Sequence, residues 1–451
     1  MQIVRLQALD ELLCKMRSGR ITRRTFLEQA LVLGLTSSTV GSLLAACGGS
    51  SNSSAGNGPA LNIVWESQHN NTFTVFQNLV DDFNRTNKSG IHVTYINGPN
   101  SSTELHNIFA NMLTTRSSAI DIMSLDIIWP AEFALNQWVA PIDSKWPASQ
   151  RANYLPGPIQ GCTFGDQIWA APFYTDTGLL YYRKDLIPTP PSSWQDLTNT
   201  AQRLQAAGLV KSGYIWQGAS YEGLVCDFAE VLYGYGGTVL DPQNPQLVTI
   251  NSPQALQALG TMANWVDTIS PHSVLQSKED ESETYWQDGN AAFMRNWPYA
   301  YALGNLQPSK VAGKFDVTSI PYGGTNMVGH SVIGGWNLGI NAFSKPEKID
   351  ASWQFIHYLL SEPAQKRLAI EASYAPTLKS VYHNQDVLAK NPFFADIGSV
   401  LQTALPRPTS PRYTDLSTAI QTRVYEALTK QSSPAQALAA LESDLQFVVT
   451  L

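Results

Sequence analysis

Charge is scarce in this chain, and positive charge scarcer still. Only 14% of the 451 residues are charged, with 29 Lys and Arg against 36 Asp and Glu, a formal charge of −7. Six of the basic side chains (Arg5, Lys15, Arg17, Arg20, Arg23, Arg24) fall in the first 46 residues with Asp10, Glu11 and Glu28, leaving −10 for residues 47–451. Such a body lacks the cationic footprint that a phosphate backbone requires, so a nucleic-acid partner is excluded. Cysteine is limited to Cys14, Cys47, Cys162 and Cys226, too few for a disulfide framework. Cys162 and Cys226 read as buried thiols, and a bridge between them stays open only because an oxidising compartment permits one. No two of the seven histidines stand four apart or beside a cysteine pair, so no zinc site is readable. Phosphate loops and Gly-x-Gly-x-x-Gly are missing. Gly329-His330-Ser331-Val332-Ile333 fails as a nucleophile elbow because Ile333 replaces the second glycine. Neither metal nor cofactor is expected.

The N-terminus reads as an address. Thr22-Arg23-Arg24-Thr25-Phe26-Leu27, the mildly apolar run 30–46 and then Cys47 resemble a twin-arginine export signal ending in a lipobox, Leu44-Ala45-Ala46-Cys47. Glu28 stands where such signals often carry a basic residue, which leaves the general secretory route open. The run is shorter and more polar than the ~20 apolar residues of a permanent span, although an uncleaved anchor helix is the alternative. Residues 1–46 are therefore the export signal, with lipidation expected at Cys47. Residues 47–59 form a Gly/Ser/Asn-rich, lipid-held tether whose reach by random-coil scaling is about 20 Å. Either route puts the body outside the cytoplasmic membrane, at the outer face of that membrane or in a periplasm.

Hydrophobic residues make up 43% of the chain, enough for packed cores, and at ~150 residues per domain the length suggests two or three domains. The 12 Trp and 18 Tyr in so uncharged a chain point to flat aromatic faces and neutral hydrogen-bonding ligands. Leu61, Ile63 and Trp65 alternate as a strand; Val75, Phe76, Leu79, Val80 and Phe83 recur at helical spacing. Strands at Ile91–Tyr95 and Ile120–Leu125 flank a helix through Leu105, Ile108, Phe109, Met112 and Leu113. This alternation predicts a parallel sheet covered by helices, with ligands beyond the carboxyl ends of its strands. Farther on, extended segments at 168–171, 178–182, 214–216 and 291–296 lie among helices near 193–207, 221–234, 253–269 and 279–288. The last hundred residues read as helices at 346–360, 362–372, 417–429 and 433–450.

Four segments carry the chemistry: Ser124-Leu125-Asp126-Ile127-Ile128-Trp129; Ala171–Leu186 with Tyr174 and Asp176; Met294-Arg295-Asn296-Trp297-Pro298-Tyr299-Ala300; and Gly334-Gly335-Trp336-Asn337. With the signal and tether, they resemble the family 1 extracellular solute-binding proteins of ABC sugar importers, above all their trehalose/maltose-binding branch. Tyr221–Phe228 also looks like that branch. The resemblance spans nearly all of residues 60–430. It implies an α/β, periplasmic-binding-protein-like fold of two lobes with a ligand cleft between them. The lobes would be 60–173 with 337–405, and 177–333 with 408–451, and the crossings would lie near 173–177, 333–337 and 405–408. It further implies a non-catalytic, monomeric receptor that captures a di- or oligosaccharide and delivers it to membrane permease subunits.

Carried over by position, the resemblance implies sugar contacts from Asp126, Tyr174, Asp176, Trp297, Tyr299, Gly335, Trp336 and Arg407. Glu279 and Asn71 are further candidates. Relatives also draw an arginine from the second helix, where this chain has Glu104-Leu105-His106-Asn107. These residue types suit sugars: indole faces bury axial C–H surfaces, and carboxylates accept pairs of hydroxyl hydrogens in charge-assisted bonds. Plainer roles exist for each. Asp126 could cap a helix starting near Trp129, Trp297 and Trp336 could be core, Arg407 could be a surface ion pair, and Gly334-Gly335 could serve a bend. Two other functions compete, an exported glycoside hydrolase using Asp126 and Asp176, or Glu222, as its carboxylates, and a peptide-binding receptor.

Overall fold

The computed structural model describes residues 61–69, 73–325, 328–408 and 410–450. The export signal, Cys47, the tether and Asn71 lie outside the described residues. Local patterning forms the first units as expected. All five apolar residues of the Val75–Thr86 helix that repeat at helical spacing are buried. The Ser102–Thr114 helix starts where the Ser101 hydroxyl accepts a bond from the Glu104 N–H, a side-chain cap for an otherwise unpaired donor.

Ten strands among the described residues build two main sheets. In chain order they are β1 (Leu61–Ser67), β2 (Ile91–Asn97), β3 (Ile122–Asp126), β4 (Ala171–Thr177), β5 (Leu179–Tyr182), β6 (Ser212–Ile215), β7 (Ala291–Asn296), β8 (Asp316–Thr318), β9 (Ile333–Ile340) and β10 (Ala375–Pro376). The first sheet has the order β10-β4-β9-β3-β1-β2 and the second β8-β5-β7-β6. β1 pairs in parallel with β2 and β3. The sheet is nevertheless mixed, because β9 runs antiparallel to β3 and β4, and β10 antiparallel to β4. Sequence alternation could not show this, since β9 enters the sheet some 200 residues after β3.

Each sheet has its own core. Trp65, Phe76, Phe109, Phe173 and Phe355 belong to the first, Trp194, Phe228, Trp265, Trp286 and Phe293 to the second. The fold is the mixed α/β, two-lobe kind. Cys162 lies in the first core and Cys226 in the second, and both are free thiols, so no bridge joins them. Residues 375–397 depart from the expected division. Ala375, Val381, Val387, Phe393, Phe394 and Ile397 pack into the second core, although Ala375–Pro376 hydrogen-bonds to the first sheet. Helices Gln385–Lys390 and Phe394–Thr403, not anticipated from the sequence, carry three of the six, Val387, Phe394 and Ile397.

Three chain passages meet between the sheets. β4 leads through Gly178 directly into β5. The Gly178 N–H donates to the Val332 carbonyl at 3.3 Å, and the Ser331 hydroxyl donates to the Gly178 carbonyl at 2.7 Å. Leu405 joins alongside by accepting from the Ile333 N–H at 3.0 Å and donating to Ser331 at 2.8 Å.

Candidate functional site

One cleft is lined by residues from both cores and from the passages between the sheets. It brings together Asp126, Tyr174, Asp176, Glu279, Trp297, Tyr299, Gly335, Trp336 and Arg407. These are all the nominated positions except Asn71, which is not among the described residues.

Strand register explains much of the gathering. Asp126 ends β3, and Trp336 of β9 lies opposite it. On its other edge Trp336 lies opposite Tyr174 of β4, with Gly334 opposite Asp176. Side chains of neighbouring strands in register stand on the same face about 5 Å apart. The two glycines have separate duties. Gly335 has φ of +128°, and a Cβ there would sit 2.7 Å from the Tyr174 carbonyl oxygen; only glycine fits that backbone. At Gly334 a Cβ would lie 3.0 Å from the Trp297 ring and 3.1 Å from the Asp176 Cβ. Gly334 thus lets the indole and the carboxylate approach one strand from the same side.

The second lobe supplies the opposite wall. Trp297 and Tyr299 follow the end of β7, and Glu279 begins the Glu279–Gln287 helix. The Trp297 indole N–H donates to Glu279 Oε1 at 3.2 Å, and the Tyr221 hydroxyl donates to Oε2 at 2.6 Å. Trp297 and Trp336 are half-buried, unlike core tryptophans such as Trp65 and Trp286.

Asp126 caps no helix. Trp129 is the N-cap of Pro130–Leu135 and no side chain bonds there. The Asp126 carboxylate instead accepts from Arg407 Nη2 at 2.6 Å, while Arg407 Nη1 donates to Glu222 Oε1 at 2.7 Å. Arg407 is only 3% exposed, so it is no surface ion pair. Asp176 is arranged differently: its Oδ1 is buried with no hydrogen-bond partner among the described residues. Burial first, then the Asp126 charge, pushes its carboxyl well above the ordinary range; Arg295 opposes this and Glu279 adds to it. An orphaned buried acceptor costs free energy until a donor reaches it.

Sequence reasoning missed Gln68 and Tyr374. Gln68 donates its side-chain amide to the Tyr174 hydroxyl, and the Tyr374 ring centroid lies 4.3 Å from that of Tyr174. Gln68 follows the carboxyl end of β1, where the strand pattern places ligands, although it was not singled out as a contact; Tyr374 stands in no recognisable segment, so no sequence signal marked it. Tyr221 and Glu222 did lie in a family-like stretch, but with no role attached to them as ligand contacts. No His, Cys, Asp and Glu cluster suited to a metal ion occurs among the described residues. No described helix is long and apolar enough to cross a membrane.

Comparison with known proteins agrees with this geometry. Residues 66–366 match the family model described as bacterial extracellular solute-binding protein. The chain is 37% identical over 372 residues to a protein of Deinococcus radiodurans named "Probable ABC transporter-binding protein", covering 79% of this chain and 87% of that one. Maltose-bound MalE3 of T. maritima superposes with a TM-score of 0.82 at 36% identity, over 86% of this chain and 100% of that one. The GacH receptor of Streptomyces glaucescens, solved unliganded and with acarbose, superposes with a TM-score of 0.77 at 25% identity, over 87% and 99%. The chain belongs to the bacterial extracellular solute-binding protein family, the non-enzymatic ligand binders of ABC transporters.

Proposed function

We propose that this receptor captures a di- or oligosaccharide of the trehalose or maltose type and delivers it to ABC permease subunits. The observation that carries this reading is the pairing of half-buried Trp297 with Asp176 across Gly334, with one buried Asp176 oxygen lacking a donor among the described residues. An indole face beside an unsatisfied acceptor suits a pyranose, which offers a C–H face and hydroxyl donors together. Trp336, Tyr299, Tyr174 and Gly335 line the same space, and Asn71 is kept as a contact on the family resemblance alone. The arginine that relatives draw from the second helix has no counterpart from that helix among the described residues of this cleft, where Asn100, Ser101 and Ser102 stand. There the Asn100 side chain donates to Asp280 Oδ2 at 3.0 Å and accepts from Lys278 Nζ at 3.3 Å.

Binding draws on both lobes, so ligand favours a closed state whose contacts an open one lacks. A shift from mostly open to mostly closed requires about 5 kcal/mol of differential binding. We further infer that lipid on Cys47 holds a monomeric receptor at the outer face of the cytoplasmic membrane, with residues 47–59 as tether. The hydrolase alternative is weakened because Asp126 is committed to Arg407 and Glu222 to Arg407, Tyr413 and Ser417.

Calorimetry with a panel of sugars and oligopeptides, followed by chromatography of the recovered ligand, tests the reading. Intact bound disaccharide supports it. Cleaved sugar would identify a hydrolase, and binding of peptide alone a peptide receptor.

A further inference from the structure

Arg407 bridges two carboxylates that belong to different lobes. Asp126 ends a strand of the first sheet, and Glu222 opens the Glu222–Gly234 helix, which is buried with the second core. The two carboxylates differ in what surrounds them. Glu222 Oε1 also accepts from the Tyr413 hydroxyl, and Oε2 accepts from the Ser417 hydroxyl, which in turn accepts from Gln421 Nε2 at 2.8 Å. The Glu222 backbone N–H donates to the Thr103 hydroxyl of the first lobe at 3.3 Å. Its carboxylate is thus satisfied by protein groups on both oxygens, in contrast to Asp176, whose Oδ1 has no partner among the described residues. A carboxylate so occupied has little left to offer a sugar, but it fixes one fork of a guanidinium firmly.

We propose that Glu222 is a positioning residue: it holds Arg407 against Asp126 across the two lobes and thereby sets how far the cleft closes on the sugar. This rests on the sugar-receptor reading. The chain Asp126–Arg407–Glu222 lies in the interior, with all three side chains at most 10% exposed, so the pairs act through a medium that screens them little. Opening the cleft would part Arg407 from one of its carboxylates, and an unpaired buried charge is costly. Closure therefore draws on a protein–protein connection as well as on the ligand.

A double-mutant cycle in the full chain, with maltose and trehalose as probes, tests this. Glu222→Gln is expected to weaken binding about tenfold and Arg407→Met about a hundredfold, with the double variant no weaker than Arg407→Met alone, since residues of one chain are not independent. Losses that multiply would show that Glu222 meets the sugar on its own and would overturn the proposal. Small-angle scattering adds a readout that a fold-supporting role would not move. Sugar-saturated Glu222→Gln should remain more open than the wild type, and an identical closed profile would also overturn it. Should Glu222→Gln fail to fold, Tyr413→Phe replaces it, expected to cost a few-fold in the wild-type background and nothing beside Arg407→Met. If neither sugar binds the wild-type chain, the sugar reading fails on its own. The same cycle is then read in melting temperatures, where additive shifts would overturn the proposal and non-additive ones support it.

Discussion

The guanidinium of Arg295 lies 3.8 Å from the centroid of the Trp297 ring. Arg295 is itself fully buried and held by two bonds to Glu230, of 2.8 and 2.7 Å, and one of 3.2 Å to Gln217. The cleft's indole thus rests on a cation anchored in the second core. A desolvated cation over an indole contributes about 2 kcal/mol and fixes the ring's plane.

Arg295→Met should therefore destabilise the protein by about 3–5 kcal/mol, because Glu230 and Asp227 would be left buried without their counter-charge. Denaturant unfolding of the variant measures this. A change below 1 kcal/mol would mean that the network does not support the fold.

Trp336→Ala and Asp126→Ala should each weaken sugar binding by about 2–4 kcal/mol, as central anchors do. Asp126→Ala also leaves Arg407 with one carboxylate fewer. Calorimetric affinities at wild-type level in either variant would remove these residues from the site.

Gly334→Ala tests the close approach at the cleft wall. The added methyl would press on the Trp297 ring at 3.0 Å. Displacing the indole by a few tenths of an ångström should cost about 1 kcal/mol of sugar affinity. Its effect on melting temperature should be smaller than that of Gly335→Ala, which forces a side chain onto a φ of +128°.

Buried carboxyls give pH dependences of definite sign. Asp176 has a raised folded-state pKa, so its stabilising contribution is present below the unfolded value near 4 and is lost as pH rises through the folded value. Asp176→Asn should accordingly raise the melting temperature at pH 8 relative to the wild type, with little difference at pH 4, while sugar affinity falls. Glu66, raised by burial from 4.5 to about 7, follows the same rule away from the site. Glu66→Gln should flatten the stability profile between pH 5 and 8, over roughly 3 kcal/mol at most, and leave sugar binding unchanged. A wild-type profile that rises across this window would contradict both assignments.

Export chemistry is tested separately. Cys47→Ser should abolish lipid attachment, releasing the body into the medium or leaving an uncleaved precursor. Replacing Arg23 and Arg24 together by Lys should block a twin-arginine route and spare a general one. Mass spectrometry showing an unmodified Cys47 in the mature wild type would end the lipoprotein reading, and the sugar cleft would stand without it.

Much of this protein is written in local sequence. The periodicity of Val75 to Phe83, the alternation at Leu61–Trp65 and the apolar helices fix which face of each element is buried, because burial follows residue spacing along a helix or strand. Nine cleft residues were named through the family resemblance that the aromatic and carboxylate segments carry, seven of them inside those segments and Glu279 and Arg407 by position alone. Other features needed the tertiary structure. Pairing between β9 and β3 depends on a chain return over some 200 residues. Long-range partners such as Arg407 with Asp126, 281 positions apart, leave no periodic trace. The roles of similar residues were decided there too. Asp126 gives one oxygen and Glu222 both oxygens to protein donors, whereas Asp176 keeps a buried oxygen with no partner among the described residues. Three carboxylates alike in sequence thus acquire different duties, because desolvation and partner geometry are properties of the folded interior, not of the residue.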